Sequence, residues 1–106
     1  MGDHENESLQ HIAEINKLVH SPARLMILAV LNMIESADFL FVEQQTKLTR
    51  GNLSSHMRKL EEIEYIEITK EFVNKIPRTL LRITKKGRSA LYEYKKNMEQ
   101  VLINLK

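Results

Sequence analysis

The chain has 106 residues, a net charge of +2, 42% hydrophobic residues and no cysteine, which fits one small domain and excludes disulfides, thiolate metal sites and thiol-based redox sensing. No apolar run approaches the roughly 18 residues of a membrane span, and the first residues are acidic where a signal peptide would be basic and then apolar, so the expectation is a cytoplasmic protein without a membrane partner. The charge is uneven: residues 1–14 carry Asp3, Glu5, Glu7 and Glu14 without Lys or Arg, whereas residues 70–88 carry seven basic residues against Glu71 alone.

Residues 1–6 are expected as a disordered leader and residues 7–106 as a single domain. Leu9, Ile12, Ile15 and Val19 recur at helical spacing, which predicts an amphipathic helix over residues 7–19. Ser21-Pro22 supplies an N-cap and a proline at the first helical position. The second helix, about Pro22 to Glu35, is apolar nearly all round, with Leu25 to Leu31 uninterrupted, and reads as the buried axis of the domain. Phe39-Leu40-Phe41 fits either a short strand or the start of a short third helix ending near Lys47, after which Thr49 caps a fourth.

In that fourth helix Leu53, Met57 and Leu60 fall on one side, and Ser54, Ser55, Arg58 and Lys59 on the other. Between Lys47 and Lys59 there are four basic residues and no acidic one, so a polyanion meets no local repulsion there. Ile66 to Val73 alternates in its first half, and Arg78 to Thr84 is a second β-prone run. The connection Asn74-Lys75-Ile76-Pro77 makes the pair a hairpin of four connecting residues. A short helix pair followed by a basic hairpin describes a DNA-reading helix with a wing. Thr84 then caps a last helix in which Leu91, Tyr94, Met98, Val101 and Leu105 step by 3, 4, 3 and 4, a heptad seam suited to pairing with another chain or to packing back on the domain.

The strings His20-Ser21-Pro22-Ala23-Arg24, Leu48-Thr49-Arg50-Gly51-Asn52-Leu53-Ser54-Ser55-His56, Lys59-Leu60-Glu61, Pro77-Arg78-Thr79 and Ile83-Thr84-Lys85-Lys86-Gly87-Arg88 resemble winged-helix transcriptional regulators of the MarR and ArsR type. They are more closely similar to a small stand-alone family of prokaryotic winged-helix DNA-binding proteins. The resemblance implies a mostly α fold with a small β-hairpin wing (α+β), a winged helix-turn-helix of about five helices and two to three strands. It also implies a homodimer joined through the terminal helices, Leu9 and Ile12 at one end and Leu91, Tyr94, Met98, Val101 and Leu105 at the other. The function it implies is sequence-specific binding of double-stranded DNA at a pseudo-palindromic operator, to regulate transcription.

By the same resemblance, Arg50, Asn52, Ser54, Ser55 and Arg58 are groove or phosphate contacts, with Thr49 and Lys59 beside them, and Lys75 and Arg78 are the wing contacts. Two positions depart from the family pattern, which usually has glycine at Glu64 and often glycine or a small residue at Lys47. Glu61, Glu62 and Glu64 make the far end of the reading helix negative, so its N-terminus is the end that approaches DNA, where the helix dipole also favours phosphate.

The bland readings are a solvated Arg58 paired with Glu61 or Glu62, and an Arg78 that only protects a sheet edge. The rival function is a winged-helix interaction module whose basic face meets an acidic partner. His56, beside the apolar face, is expected as a half-buried histidine bonded to backbone. No metal spacing, phosphate loop or nucleophile motif is present, so neither enzyme activity nor a cofactor is expected. A small-molecule effector is left open, since no residue cluster marks a pocket.

Overall fold

The computed structural model describes residues 9–105; the expected leader and the expected start of the first helix lie outside them. Among the described residues, five helices and three strands run in the order α1 (residues 9–13), α2 (Pro22–Met33), β1 (Ala37–Asp38), α3 (Phe39–Thr46), α4 (Arg50–Glu62), β2 (Ile66–Val73), β3 (Ile76–Ile83) and α5 (Lys85–Asn104). Each of α2 to α5 starts at a side-chain cap. Ser21, Asp38, Thr49 and Thr84 accept from the backbone N–H of Arg24, Phe41, Asn52 and Gly87, satisfying donors that the first helical turn leaves free.

The first helix stops at residue 13 instead of continuing to Val19. The Asn16 side chain accepts from the N–H groups of Leu18 and Val19 at 2.9 and 3.2 Å, a local turn that competes with the helix. That turn delivers Val19 into the core, where it is fully buried. α2 ends at Met33, two residues before the expected Glu35, and only one of its faces is buried, through Ile27, Leu28 and Leu31. Met26, Ala29 and Met33 form an exposed stripe at i, i+3 and i+7, so α2 is a lateral helix of this chain and not its buried axis. Phe39-Leu40-Phe41 resolves as the first turn of α3, with β1 immediately before it.

The sheet is antiparallel in the order β1-β3-β2. Ile66 pairs with Ile83 and Ile68 with Leu81, and these pairs face Leu53, Met57 and Leu60 of α4 in the core. The hairpin closes through two residues, not four: Val73 pairs with Ile76, and Asn74 and Lys75 carry φ of 54° and 67°. Positive φ at both central residues is the tight turn whose twist matches paired strands. Pro77 therefore lies within β3, opposite Phe72, where β3 has no second neighbour and a missing N–H costs the sheet little.

At the head of α5 the backbone leaves no room for a side chain. A Cβ on Gly87 would stand 2.2 Å from the Tyr65 carbonyl oxygen, which also accepts from the Thr84 N–H at 3.0 Å. From this point Ala90, Leu91 and Tyr94 of α5 pack against the core and Arg88 bonds to Asn32 of α2, and the molecule measures 65 × 25 × 21 Å. α5 is hydrogen-bonded to α1: Asn97 donates to the His11 carbonyl at 2.8 Å and its side-chain oxygen lies 3.0 Å from the His11 ring nitrogen. The five seam residues do not share one exposed stripe. Val101 is buried within the chain, Leu91, Tyr94 and Met98 are half-buried, and Leu105, the C-cap beyond the helix, is exposed beside Leu102 and Ile103.

Candidate nucleic-acid interface

The first turn of α4 holds no acidic residue, and its cap Thr49 accepts from the Asn52 N–H at 3.1 Å at the positive end of the helix dipole. Leu53, Met57 and Leu60 anchor the helix in the core, which turns Asn52, Ser55, Arg58 and Lys59 to solvent and leaves Ser54 half-buried. Arg50 is 70% exposed; its guanidinium lies 5.5 Å over the Phe39 ring and 3.9 Å from Glu43. Arg58 makes no ion pair with Glu61 or Glu62 among the described residues, so its charge is not neutralised by the neighbours the bland reading required. Gly51 has nothing within 4 Å of the position a Cβ would take. A ligand backbone can come close to α4 there.

Lys75 stands exposed at the wing turn. Arg78 is engaged: it donates to Asp38 at 2.7 Å, with 42% of its side chain still exposed. The Phe41 N–H, bonded to Asp38 at 2.8 Å, and then the Arg78 guanidinium hold the Asp38 carboxyl below its ordinary value. Asp38 thus caps α3 and tethers the wing with one side chain. Sequence reasoning missed it, although an Asp directly before an apolar run is a helix-start signal.

Arg24 was missed as well. Its guanidinium donates to the carbonyls of Leu18 and Lys17 and lies 3.3 Å from Nδ1 of His56 on α4. His56 is half-buried as expected, but its partner is this arginine and not backbone. The contact ties the turn after α1 to the middle of α4. At the far end of α4, Glu64 takes φ of 64°, its carbonyl accepts from the Thr84 hydroxyl at 2.7 Å, and its carboxylate lies 3.9 Å from Lys86. Lys47, at the end of α3, takes φ of 59°. Both departures from the glycine pattern therefore occupy left-handed backbone, the conformation glycine adopts without strain.

A groove of about 420 Å³ separates α4 from the wing and is lined by Ser54, Arg58, Lys70 and Thr79 among others. A second, of about 680 Å³, runs between α2 and α5 past Leu25, Leu91, Met98 and Leu102. No group of three or more metal-ligating side chains exists among the described residues, and no helix among them is long and apolar enough to cross a membrane.

Comparison with known proteins places this geometry. An uncharacterized protein of Methanocaldococcus jannaschii is 37% identical over 78 residues, covering 74% of this chain and 85% of its own. A transcriptional regulator homologue from Pyrococcus horikoshii OT3 superposes with a TM-score of 0.83 at 29% identity, over 93% of this chain and 97% of that one. The transcriptional repressor CouR, solved on a 23-mer DNA duplex, shares the fold at a TM-score of 0.70 and 20% identity, over 92% of this chain and 66% of its own. The sequence pattern of the winged helix DNA-binding domain matches residues 23–102. From α2 to the end of α5, then, the chain has the residues and the geometry of one family, and it belongs to the winged helix DNA-binding domain family.

Proposed function

We propose that the protein is a transcriptional regulator that binds duplex DNA as a homodimer on a pseudo-palindromic operator. The observation that carries this reading is the exposed, acid-free first half of α4, capped by Thr49 and flanked by a wing bearing Lys75 and Arg78. α4 enters the major groove N-terminus first: Asn52, Ser55 and, further along the same face, Arg58 reach base edges, while Thr49, Arg50, Ser54, Lys59, Lys75 and Arg78 meet phosphates and sugars. The structure of CouR on a 23-mer duplex supports DNA as the ligand of this fold.

Dimerisation is supported by shape and by exposed apolar surface. The radius of gyration is 16.5 Å, against about 13 Å for a compact domain of this length. Leu9, Ile12, Leu102, Ile103 and Leu105 are exposed at the α1 and α5 end of the molecule. A second copy laid along α5 covers them together with the α2–α5 groove, where a small-molecule effector would also have room. The dimer presents its two α4 helices to successive major grooves roughly 34 Å apart.

Genomic fragments selected by the protein, followed by titration of the chosen duplex at several salt concentrations, test the reading. Affinity should fall steeply with salt, as counterions released from phosphates require. Arg58→Ala should cost about 1–3 kcal/mol and relax base preference, whereas Lys75→Ala should weaken all sequences alike. Failure to select any duplex, together with capture of acidic protein partners, would transfer the basic face to the rival reading.

A further inference from the structure

The wing carries apolar surface that its own fold does not use. Phe72 is 76% exposed, although β2 and β3 need only Ile66, Ile68, Leu81 and Ile83 to seal the core; Ile76, also exposed, pairs with Val73 on the other face. Side chains alternate along a strand, and residues opposite one another share a face. The register therefore puts Lys70 with Thr79 and Phe72 with Pro77 on the core-side face of the hairpin, beyond Ile68 and Leu81. Glu67, Glu71, Arg78 and Arg82 all fall on the opposite face, each glutamate opposite an arginine.

The face bearing Phe72 thus holds a cation and no carboxylate. It also adjoins the proposed DNA surface, because Lys70 and Thr79 line the groove beside Ser54 and Arg58 of α4, with Glu61 as the one carboxylate lining it, on the α4 side. Lys75 stands exposed at the turn beyond it. Pro77 stiffens the strand opposite Phe72, so the ring is presented on a short rigid hairpin and not on a loose loop.

We propose that Phe72, backed by Pro77, is an apolar wedge that packs into the minor groove of duplex DNA next to the major groove read by α4. This rests on the DNA-binding reading above. Such a surface meets phosphate with Lys70 and Lys75 and deoxyribose walls with an aromatic ring, a match that a purely acidic protein partner does not offer. A wedge requires the groove to widen, and pyrimidine–purine steps open at the least cost while A-tracts are stiff and narrow. The wing would then select flanking sequence by deformability without any base-specific hydrogen bond.

The test uses the full chain and the selected duplex with two flanks under the wing, one centred on TA or CA steps and one an A-tract. Phe72→Ala should bind the flexible flank about tenfold more weakly and the A-tract flank nearly as well as the unaltered protein. Its salt slope should be unchanged, because an apolar contact releases no counterion. Lys75→Ala should weaken both flanks and lower the slope by about one. Phe72→Leu should recover part of the flexible-flank affinity. Circular dichroism and sedimentation of each variant should match the unaltered protein, since so exposed a side chain contributes little to folding.

Equal losses on both flanks, no loss at all, a lowered salt slope for Phe72→Ala, or an altered oligomeric state would overturn the wedge. Absence of duplex binding by the unaltered protein would instead remove the DNA reading on which it stands.

Discussion

Asp38 serves two elements at once, as cap of α3 and as partner of Arg78, and this makes the base of the wing sensitive to acid. Its carboxyl is held below the ordinary value of 3.8, first by the Phe41 N–H and then by Arg78. A depressed folded-state value means that the contribution to stability is present above the unfolded-state value and is lost as pH falls through the folded one. Asp38→Asn keeps a capping oxygen and removes the charge. Denaturant titrations should find the Asp38→Asn variant less stable at neutral pH by no more than about 1 kcal/mol, a figure already discounted because the pair is part-exposed. That gap should close below pH 3.8. A gap unchanged down to strong acid would show that the carboxylate charge contributes nothing.

Two glycines give a paired prediction at the same scale. Gly87→Ala forces a methyl against the Tyr65 carbonyl, which is main chain and cannot turn aside; the variant should lose about 1–3 kcal/mol in urea unfolding. Gly51→Ala meets empty space in α4 and should gain about 0.5–1 kcal/mol from helix preference alone. Its duplex affinity should nevertheless fall if, as proposed, a phosphate backbone approaches α4 at that turn. If Gly51→Ala is more stable and binds as well as before, close approach at that turn is wrong.

At the scale of elements, the four non-glycine residues with positive φ mark the joints: Lys47 between α3 and α4, Glu64 between α4 and β2, and Asn74 with Lys75 at the wing turn. Left-handed backbone strains a residue with a Cβ by about 1–2 kcal/mol, so Lys47→Gly and Glu64→Gly should each stabilise by about 0.5–1 kcal/mol after the added unfolded-chain entropy is counted. Thermal denaturation of the two variants checks this, and destabilisation by both would show that their side chains do more than tolerate the joint.

These joints also explain what sequence could and could not disclose. Caps at Ser21, Thr49 and Thr84 and the periodicity of α4 are local signals, and they located α2, α4 and α5 correctly at their starts. The turn at Asn16 was hidden because the apolar spacing of Ile12, Ile15 and Val19 is satisfied by a helix on paper, while the asparagine side chain and its 3.0 Å bond to the Tyr65 hydroxyl decide otherwise. Pro77 suggested loop because its neighbours in the sheet are a matter of register, not of composition. The polar face of α4 was legible residue by residue. The contacts of Arg24 with His56 and of Asp38 with Arg78 were not, since they join residues 32 and 40 positions apart.

At the scale of the whole molecule, the exposed end formed by α1 and α5 is where the proposed dimer is open to test. Leu102 is 62% exposed in the single chain, so Leu102→Glu should leave its fold intact while placing two carboxylates at a two-fold interface. Sedimentation should show a monomer with an unchanged circular dichroism spectrum, and operator affinity should fall at least roughly 100-fold as one half-site loses the effective concentration supplied by the other. A variant that stays dimeric would move the interface elsewhere.

The 65 Å length of so short a chain has a further consequence for how its stability can be quoted. In the proposed dimer a second copy covers apolar surface that the folded single chain leaves exposed at Leu9, Ile12, Leu102, Ile103 and Leu105, so assembly adds to the stability of an already folded chain by mass action. Each tenfold increase in protein concentration should then add about 1.4 kcal/mol per dimer and raise the melting temperature. On the same proposal, the protein diluted toward the level of its DNA sites would be held as a dimer partly by the DNA itself, and a melting temperature measured for it without a stated concentration would describe the sample and not the molecule.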